Sequence, residues 1–300
     1  MPGSSLAIMT NAGSLKAHSN LVKSGRLLER AIGRLSSGLR VQSAADDAAG
    51  LAVAENMRAQ LRGYQQAQRN ANDGISIVQT AEAAYQSISD TLIRMRELAV
   101  EAANDSLSDT ERGFLNTEFQ ALDTEITRIS DVTEFNGIQL LDGTAGDDGT
   151  MTFQVGTRNG VNDRIVVDLN DQDSTALAVN ASAVDTRVNA QTAIDEIDIA
   201  MESLNTDRAT LGATINSLNV AVTNLSSTIE NYGAAVGTIR DADIGEESAN
   251  FARQQVLQQA GVSMLAQANA LPNLALRLLG LVVPPTSLAS APRLKRDGAR

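Results

Sequence analysis

The sequence predicts a mainly α-helical protein: a long antiparallel coiled-coil rod formed by the N- and C-terminal halves, with a small β-hairpin insert. Three observations predict it. First, Ile194, Ile197, Met201, Leu204, Leu211, Ile215, Leu218, Val222, Leu225, Ile229, Tyr232, Val236 and Ile239 recur three or four residues apart, with Arg208 at the one polar step and no proline in the run. A 3.5-residue period held this long marks a supercoiled helix with one apolar seam. Second, 43% of the 300 residues are hydrophobic but only 3% are aromatic, and Trp is absent. A core built from Leu, Ile, Val and Ala suits closely packed helices. Third, the middle of the chain breaks the helical period with alternating residues around Gly and Asp.

The N-terminal half supplies partners for the heptad ladder. Leu21, Leu28, Ile32, Leu35 and Leu39 form one amphipathic stripe. A second, longer one runs from Met57 through Leu61, Tyr64, Ala71, Ile75, Val78, Ala81, Tyr85, Ile88, Leu92 and Met95 to Ala99. Ser108-Asp-Thr-Glu111 reads as a capping box that opens a third helix through Phe119, Leu122, Ile126 and Ile129. From Phe135 to Asp173, Met151, Phe153 and Val155 alternate, as do Ile165, Val167 and Leu169, on either side of Gly156-Thr-Arg-Asn-Gly160. That pattern predicts a β-hairpin. Residues 170–190 are polar and aperiodic and read as loop. In the last helix Leu257, Met264, Leu271 and Leu278 fall seven apart, with Gly261, Ala268 and Ala275 between them as sites of close helix approach. Pro272 is expected to kink or break that helix.

Composition excludes several classes of function. With 24 Lys+Arg against 36 Asp+Glu the net charge is −12, the wrong sign for nucleic-acid binding. The absence of Cys rules out disulfides, zinc ribbons and thiol catalysis, and a single His rules out His-based metal clusters. No phosphate-binding loop or zinc-protease motif occurs. The run Asp168 to Asp173 lacks the Gly and Glu of a calcium loop. Asp46-Asp47 reads as a helix-terminus pair, His18 has no partner for a triad, and three Asn-x-Ser sequons (Asn104, Asn180, Asn224) are what an Asn/Ser-rich chain gives by chance. No apolar run approaches the roughly 20 residues of a membrane helix, and residues 1–20 lack the basic and apolar regions of a cleaved leader. The expectation is a chain that stays in the cytoplasm or leaves without a leader. No enzyme activity, cofactor, nucleic acid or membrane insertion is expected.

Several longer stretches are familiar. Leu35-Ser-Ser-Gly-Leu-Arg-Val41 followed by Ser43-Ala-Ala-Asp-Asp-Ala-Ala-Gly-Leu-Ala52, Arg69-Asn-Ala-Asn-Asp-Gly74, Arg96-Glu-Leu-Ala-Val100 and Glu134-Phe-Asn-Gly-Ile-Gln-Leu-Leu-Asp-Gly143 resemble the N-terminal region of bacterial flagellins. Ile239-Arg-Asp-Ala-Asp-Ile244 and the stretch from Arg253 to Pro272 resemble the C-terminal region. The resemblance implies the subunit of the bacterial flagellar filament, secreted unfolded through the flagellar type III export apparatus and self-assembled outside the cell for motility. A Cys-free chain suits passage from a reducing to an oxidising compartment.

Mapped by motif, the resemblance implies an inner helical domain from 1–44 and 243–280, a rod domain from 45–144 and 191–242, and a short variable region with the hairpin at 145–190. It implies intersubunit seams at Leu28, Ile32, Leu35 and Leu39, and at Leu257, Met264, Leu271 and Leu278. It implies terminal segments that order only on assembly. The implied partners are further copies of the chain, an export chaperone on 243–280, the filament cap and hook-associated proteins. The pattern read by the vertebrate flagellin receptor falls on Arg94, Leu98 and Glu118. Two other readings remain open: a hook–filament junction protein, which shares these ends, and a cytoplasmic coiled-coil scaffold. The chain departs from the family pattern at both ends. Met1 to Ser5 precede the recognisable Thr10-Asn11-Ala12-Gly13. Residues 281–300 hold Pro284, Pro285 and Pro292, and four Lys/Arg against one Asp, a net +3 that leaves −15 for the rest. They are read as a disordered tail expected to hinder export or polymerisation, with a readthrough or frameshift product, an added sequence and a tolerated flexible tail as alternatives.

Overall fold

The computed structural model describes residues 11–147 and 149–278, the stretch 271–278 as backbone only. The described chain divides into two compact units, one from within Met1–Leu51 and Ile239–Arg300, the other Ala52–Thr238. Five long helices, two short hairpins and one turn of 3-10 helix, Val161–Asp163, make up the regular structure of the described residues: α1 Ala12–Ser37, α2 Ala48–Ala102, α3 Asp109–Val132, β1 Glu134–Phe135, β2 Ile138–Gln139, β3 Thr150–Gln154, β4 Arg164–Asp168, α4 Arg187–Arg240 and α5 Ile244–Leu278. The order of elements is the one the periodicity predicts. The tail 281–300 and Met1 to Ser5 lie outside the described residues.

In the larger unit the heptads of α2 and α4 form the core. On α4 the buried positions Ala190, Ile197, Leu204, Leu211, Leu218 and Leu225 fall seven apart. On α2 two such rows are buried: Ala71, Val78, Tyr85, Leu92 and Ala99, and Ala67, Gly74, Ala81, Ile88, Met95 and Ala102. Burial on α4 stops at Leu225. Beyond it Tyr232 and Val236 are half-exposed, and Tyr232 meets Tyr64 edge-on with ring centroids 5.2 Å apart. The polar step in the ladder has a partner. Arg208 donates to Glu82 Oε1 from Nε at 3.0 Å and from Nη2 at 2.9 Å, and to Gln86 at 2.8 Å.

Helix α3 starts as predicted, with the Ser108–Glu111 capping box formed in both directions. Arg112 then folds back beneath the α2–α3 turn. Its guanidinium is buried and donates to the carbonyls of Ala102 and Asn104, each at 2.8 Å. Those carbonyls belong to the end of α2 and just beyond, where a helix leaves its last C=O groups without partners.

The middle segment is more built than its composition suggests. Asn136 and Gly137 both have positive φ, 52° and 78°, and turn β1 back onto β2. A turn with both central residues in that region matches the strand twist, which explains Asn-Gly there. The predicted hairpin is β3–β4, with Met151 opposite Val167 and Phe153 opposite Ile165. It lies along a face of α2 kept low by glycine. A Cβ at Gly74 would stand 3.1–3.2 Å from ring atoms of Phe153, and one at Gly63 would stand 2.8 Å from Thr157 Cγ2. Between them Asn70 Nδ2 donates to Gln154 O at 3.0 Å. The loop expected over 170–190 ends at 186, where α4 begins with Arg187, and it is not a solvated one. Leu177, Val179 and Val184 enter the core cluster with Leu140, Leu141 and Phe119. Asn170 and Gln172 donate to the two carboxylate oxygens of Asp207 at 2.9 and 2.8 Å.

The smaller unit is the pair α1 and α5. Gly38 ends α1 with φ 72°, its N–H bonded to Arg34 O. Arg40 N then donates to Arg240 O at 2.7 Å, and Ala242 N to Gly38 O at 2.9 Å, so the chain leaving α1 runs beside the chain entering α5. The close approach expected at Gly261 is present, since a Cβ there would lie 3.1 Å from Leu21 Cδ1. The expected break at Pro272 is absent: α5 continues to Leu278. Proline has no N–H, so the carbonyl four residues earlier loses its helical donor. That carbonyl belongs to Ala268, and Asn11 Nδ2 donates to it at 2.7 Å. The Oδ1 atom of Asn11 meanwhile caps α1 by accepting from Ser14 N at 3.0 Å.

Candidate assembly surfaces

The α1–α5 pair is held largely by polar contacts. Besides Asn11, Ser14 Oγ donates to Asn269 Oδ1 at 2.7 Å, Ser24 Oγ to Gln254 Oε1 at 3.1 Å, and Arg34 Nη1 to Glu247 Oε1 at 2.6 Å. The last pair is mostly withdrawn from water, with Glu247 buried. Few apolar groups are buried in the pair: Ala31 and Val41 alone among the described hydrophobic residues of this unit. Its larger apolar side chains stay in water. Ile32 is 48% exposed, Leu257 49% and Met264 58%, while Leu28, Leu35 and Leu39 are half-buried. Leu28 and Ile32 line a shallow groove with Phe251 and Val262. Leu271 and Leu278 fall where only backbone is described. Two facing helices that leave large apolar side chains such as Ile32, Leu257 and Met264 uncovered have the form of a subunit completed by further copies.

In the larger unit Arg94 and Glu118 come together. Arg94 donates to Glu118 Oε1 from Nε at 3.0 Å and from Nη2 at 2.7 Å, and to Glu97 at 2.9 Å. The hydrogen bonds to Glu118 and then Glu97 push the guanidinium pKa further up. Both Arg94 and Glu118 are exposed. Leu98 does not join them on the surface. It is 1% exposed and belongs to the core cluster. It is one of the buried residues near the end of α2, with Met95 and Ala99 beside it. Two residues along from Arg94, Arg96 reaches Asp198 of α4 at 2.7 Å and holds that carboxyl below its usual pKa. The family resemblance pointed to Arg94 and Glu118. It missed Asn11, Arg34 and Glu247, whose contacts cross more than 200 positions and leave no local pattern.

Among the described residues no group of three or more His, Asp or Glu is placed to hold a metal. No described helix is long and apolar enough to cross a membrane.

A heptad-based subunit with uncovered terminal helices defines the class: a helical protein that completes itself by polymerising. The comparisons make the class specific. The model of the bacterial flagellin N-terminal helical region matches residues 8–146, and that of the C-terminal helical region matches 194–279. A flagellin of Halalkalibacterium halodurans is 43% identical over 276 residues, covering 91% of this chain and all of the relative. A flagellin of Bacillus subtilis is 36% identical over 305 residues, with 91% and 100% coverage. The crystal structure of Bacillus cereus flagellin aligns at 33% identity over 56% of this chain and 94% of that one, with a TM-score of 0.47. A structure described as a flagellar hook-associated protein from Vibrio parahaemolyticus shares the fold, with a TM-score of 0.54 at 17% identity over 65% of this chain and all of that one. This chain belongs to the bacterial flagellin family. It is a structural filament subunit that polymerises with itself, and it is not an enzyme.

Proposed function

We propose that this flagellin is exported unfolded through the flagellar type III apparatus and is completed only in the filament, where α1 and α5 bury their stripes against other copies. The observation that carries this reading is the exposure of Ile32, Leu257 and Met264 on a helix pair held by polar contacts. Each fully buried Leu, Ile or Met side chain contributes about 1.5–3 kcal/mol, so a contact covering several is enough to drive association. Residues 1–44 and 243–280 form the inner domain, 45–144 and 191–242 the rod, and 145–190 a short variable region. The export chaperone holds 243–280 before secretion. The filament cap then directs folding at the tip, and hook-associated proteins meet the same helical ends at the base. On the rod, Arg94 and Glu118 face the vertebrate receptor, with Leu98 supporting α2 from beneath.

The chain of 300 residues is compared with one ending at Gly280, each added to sheared filament seeds and followed by sedimentation and negative-stain microscopy. Elongation by the shorter chain alone supports the filament reading and identifies 281–300 as an inhibitor. Elongation by both supports the reading and makes the extension tolerated. Helical chains of both lengths that fail to elongate would overturn it.

A further inference from the structure

One exposed flank of α1 is cationic. Lys16, Lys23 and Arg30 recur seven apart, and Arg26 lies on the same face, one turn from both Lys23 and Arg30. All four side chains are exposed. Among the described residues none of them makes an ion pair. Helix α1 as a whole has five Lys/Arg against Glu29, a net +4 in a chain of −12. A block of unpaired like charges raises the energy of the isolated subunit, and an anionic partner removes that cost.

The same helix pair is anionic at one end. The junction of α4 and α5 places Asp241 and Glu246, both exposed, beside the end of α1. Asp243, between them, is occupied in accepting from Gly245 N at 2.8 Å and Glu246 N at 3.1 Å. The pair therefore carries acidic side chains at the end where α1 stops, with Arg40 among them, and a run of basic ones along one flank of α1. A contact that joins the basic flank of one copy to the acidic end of the next uses two different patches, which is the heterologous mode that builds open helical polymers.

We infer that the Lys16–Lys23–Arg26–Arg30 face is an electrostatic docking surface for a second copy of this chain, its complement being the Asp241/Glu246 end of that copy. This rests on the filament reading and assigns part of its contact to charge. A second copy fits better than other anionic partners because self-association is the family's own property, and because outside α1 the chain sums to −16. Opposed charges of this kind act mainly on the rate of encounter, by about tenfold or more, and salt screens them.

The test measures seed elongation by the chain length that elongates seeds, at 50 mM and 500 mM NaCl, for wild type, K16E/K23E, D241K/E246K and the four-fold combination. Lys23 stands eleven residues from Arg34, roughly 16 Å along the helix, and Lys16 farther still. That exceeds the Debye length of about 8 Å, so compensation in the four-fold variant acts between copies. The expected result is a tenfold or greater loss of elongation rate at low salt in each double variant. The loss should shrink at high salt and be recovered in the four-fold variant. Circular dichroism checks that helicity is retained, and recovery itself excludes misfolding as the cause. Wild-type rates in K16E/K23E would overturn the inference and leave the filament reading intact. So would a loss that the four-fold variant does not recover. Binding of wild type to phosphatidylglycerol vesicles but not phosphatidylcholine vesicles, with elongation unchanged in K16E/K23E, would reassign the face to anionic lipid. Failure of wild type to elongate at either salt would overturn both readings together.

Discussion

Replacing Gly74 with valine probes how the β3–β4 hairpin is seated on α2. A Cβ at this position stands 3.1 Å from Phe153 Cγ and 3.2 Å from both Cδ atoms. The centre of a ring cannot swing aside as a flexible chain end does, and valine adds two methyl groups beyond Cβ. Phe153 must leave its seat. It is half-buried, so its loss costs about 1–2 kcal/mol, less than the 1.5–3 kcal/mol of full burial. Against this, valine is a better helix residue than glycine by about 0.4 kcal/mol. The net is a destabilisation of about 1 kcal/mol, or roughly 2–4 °C in Tm. Thermal unfolding followed by circular dichroism measures it in wild-type and F153A backgrounds. With Phe153 already truncated, only the helix-propensity gain remains, and G74V should be neutral or slightly stabilising. An equal loss in both backgrounds would refute the seating argument, since the clash would then be with something other than Phe153.

Three further outcomes are expected. S108A removes one half of the capping box and should destabilise the larger unit by about 1 kcal/mol, read as a lower denaturation midpoint with an unchanged m-value. Partial burial pushes the Asp123 carboxyl pKa up, so the folded state prefers the protonated acid. Its destabilising effect is present above the folded pKa and fades as pH falls through it. D123N should therefore raise Tm at pH 7, by an amount that shrinks towards pH 4 in a pH series. L98A opens a cavity in the core and should cost about 2–5 kcal/mol, whereas E118A should leave Tm nearly unchanged. A receptor-reporter assay in which L98A loses activity only in proportion to its unfolded fraction, and E118A loses it while folded, would separate support from contact.

The long helices were legible because their burial is periodic. Ala190 through Leu225 on α4 and Ala67 through Ala102 on α2 repeat every seven residues, and repetition is visible without knowing the partner. The capping box was legible because its chemistry is local, whereas the tight turn at Asn136-Gly137 went unread. The loop 170–186 was legible only as irregular. Its buried residues, such as Val179 and Val184, follow no period, because they fill gaps left by α3 and α4 rather than cover a face of their own. Arg208 looked like a flaw in the ladder and is an ion-paired member of it, since Glu82 lies in another helix. On the surfaces, the family resemblance pointed to Arg94, Leu98 and Glu118 together but could not reveal that Leu98 points into the core. Polar contacts between α1 and α5 join residues such as Ser24 and Gln254 that have no sequence relation to each other.

Asn11 makes two helices conditional on each other. Its carboxamide oxygen completes the start of α1, and its amide nitrogen completes a carbonyl in α5 that Pro272 has deprived of a donor. Alone, α5 contains a missing rung four residues before the proline, and water or misfolded chain must fill it. Alone, α1 satisfies its own cap but leaves the nitrogen idle. The proline thus acts as a lock and the asparagine as its key: α5 is a whole helix only when α1 has arrived and its first turn has formed. A chain whose two ends are synthesised more than 250 residues apart has in this contact a local check that both ends are present before the pair closes.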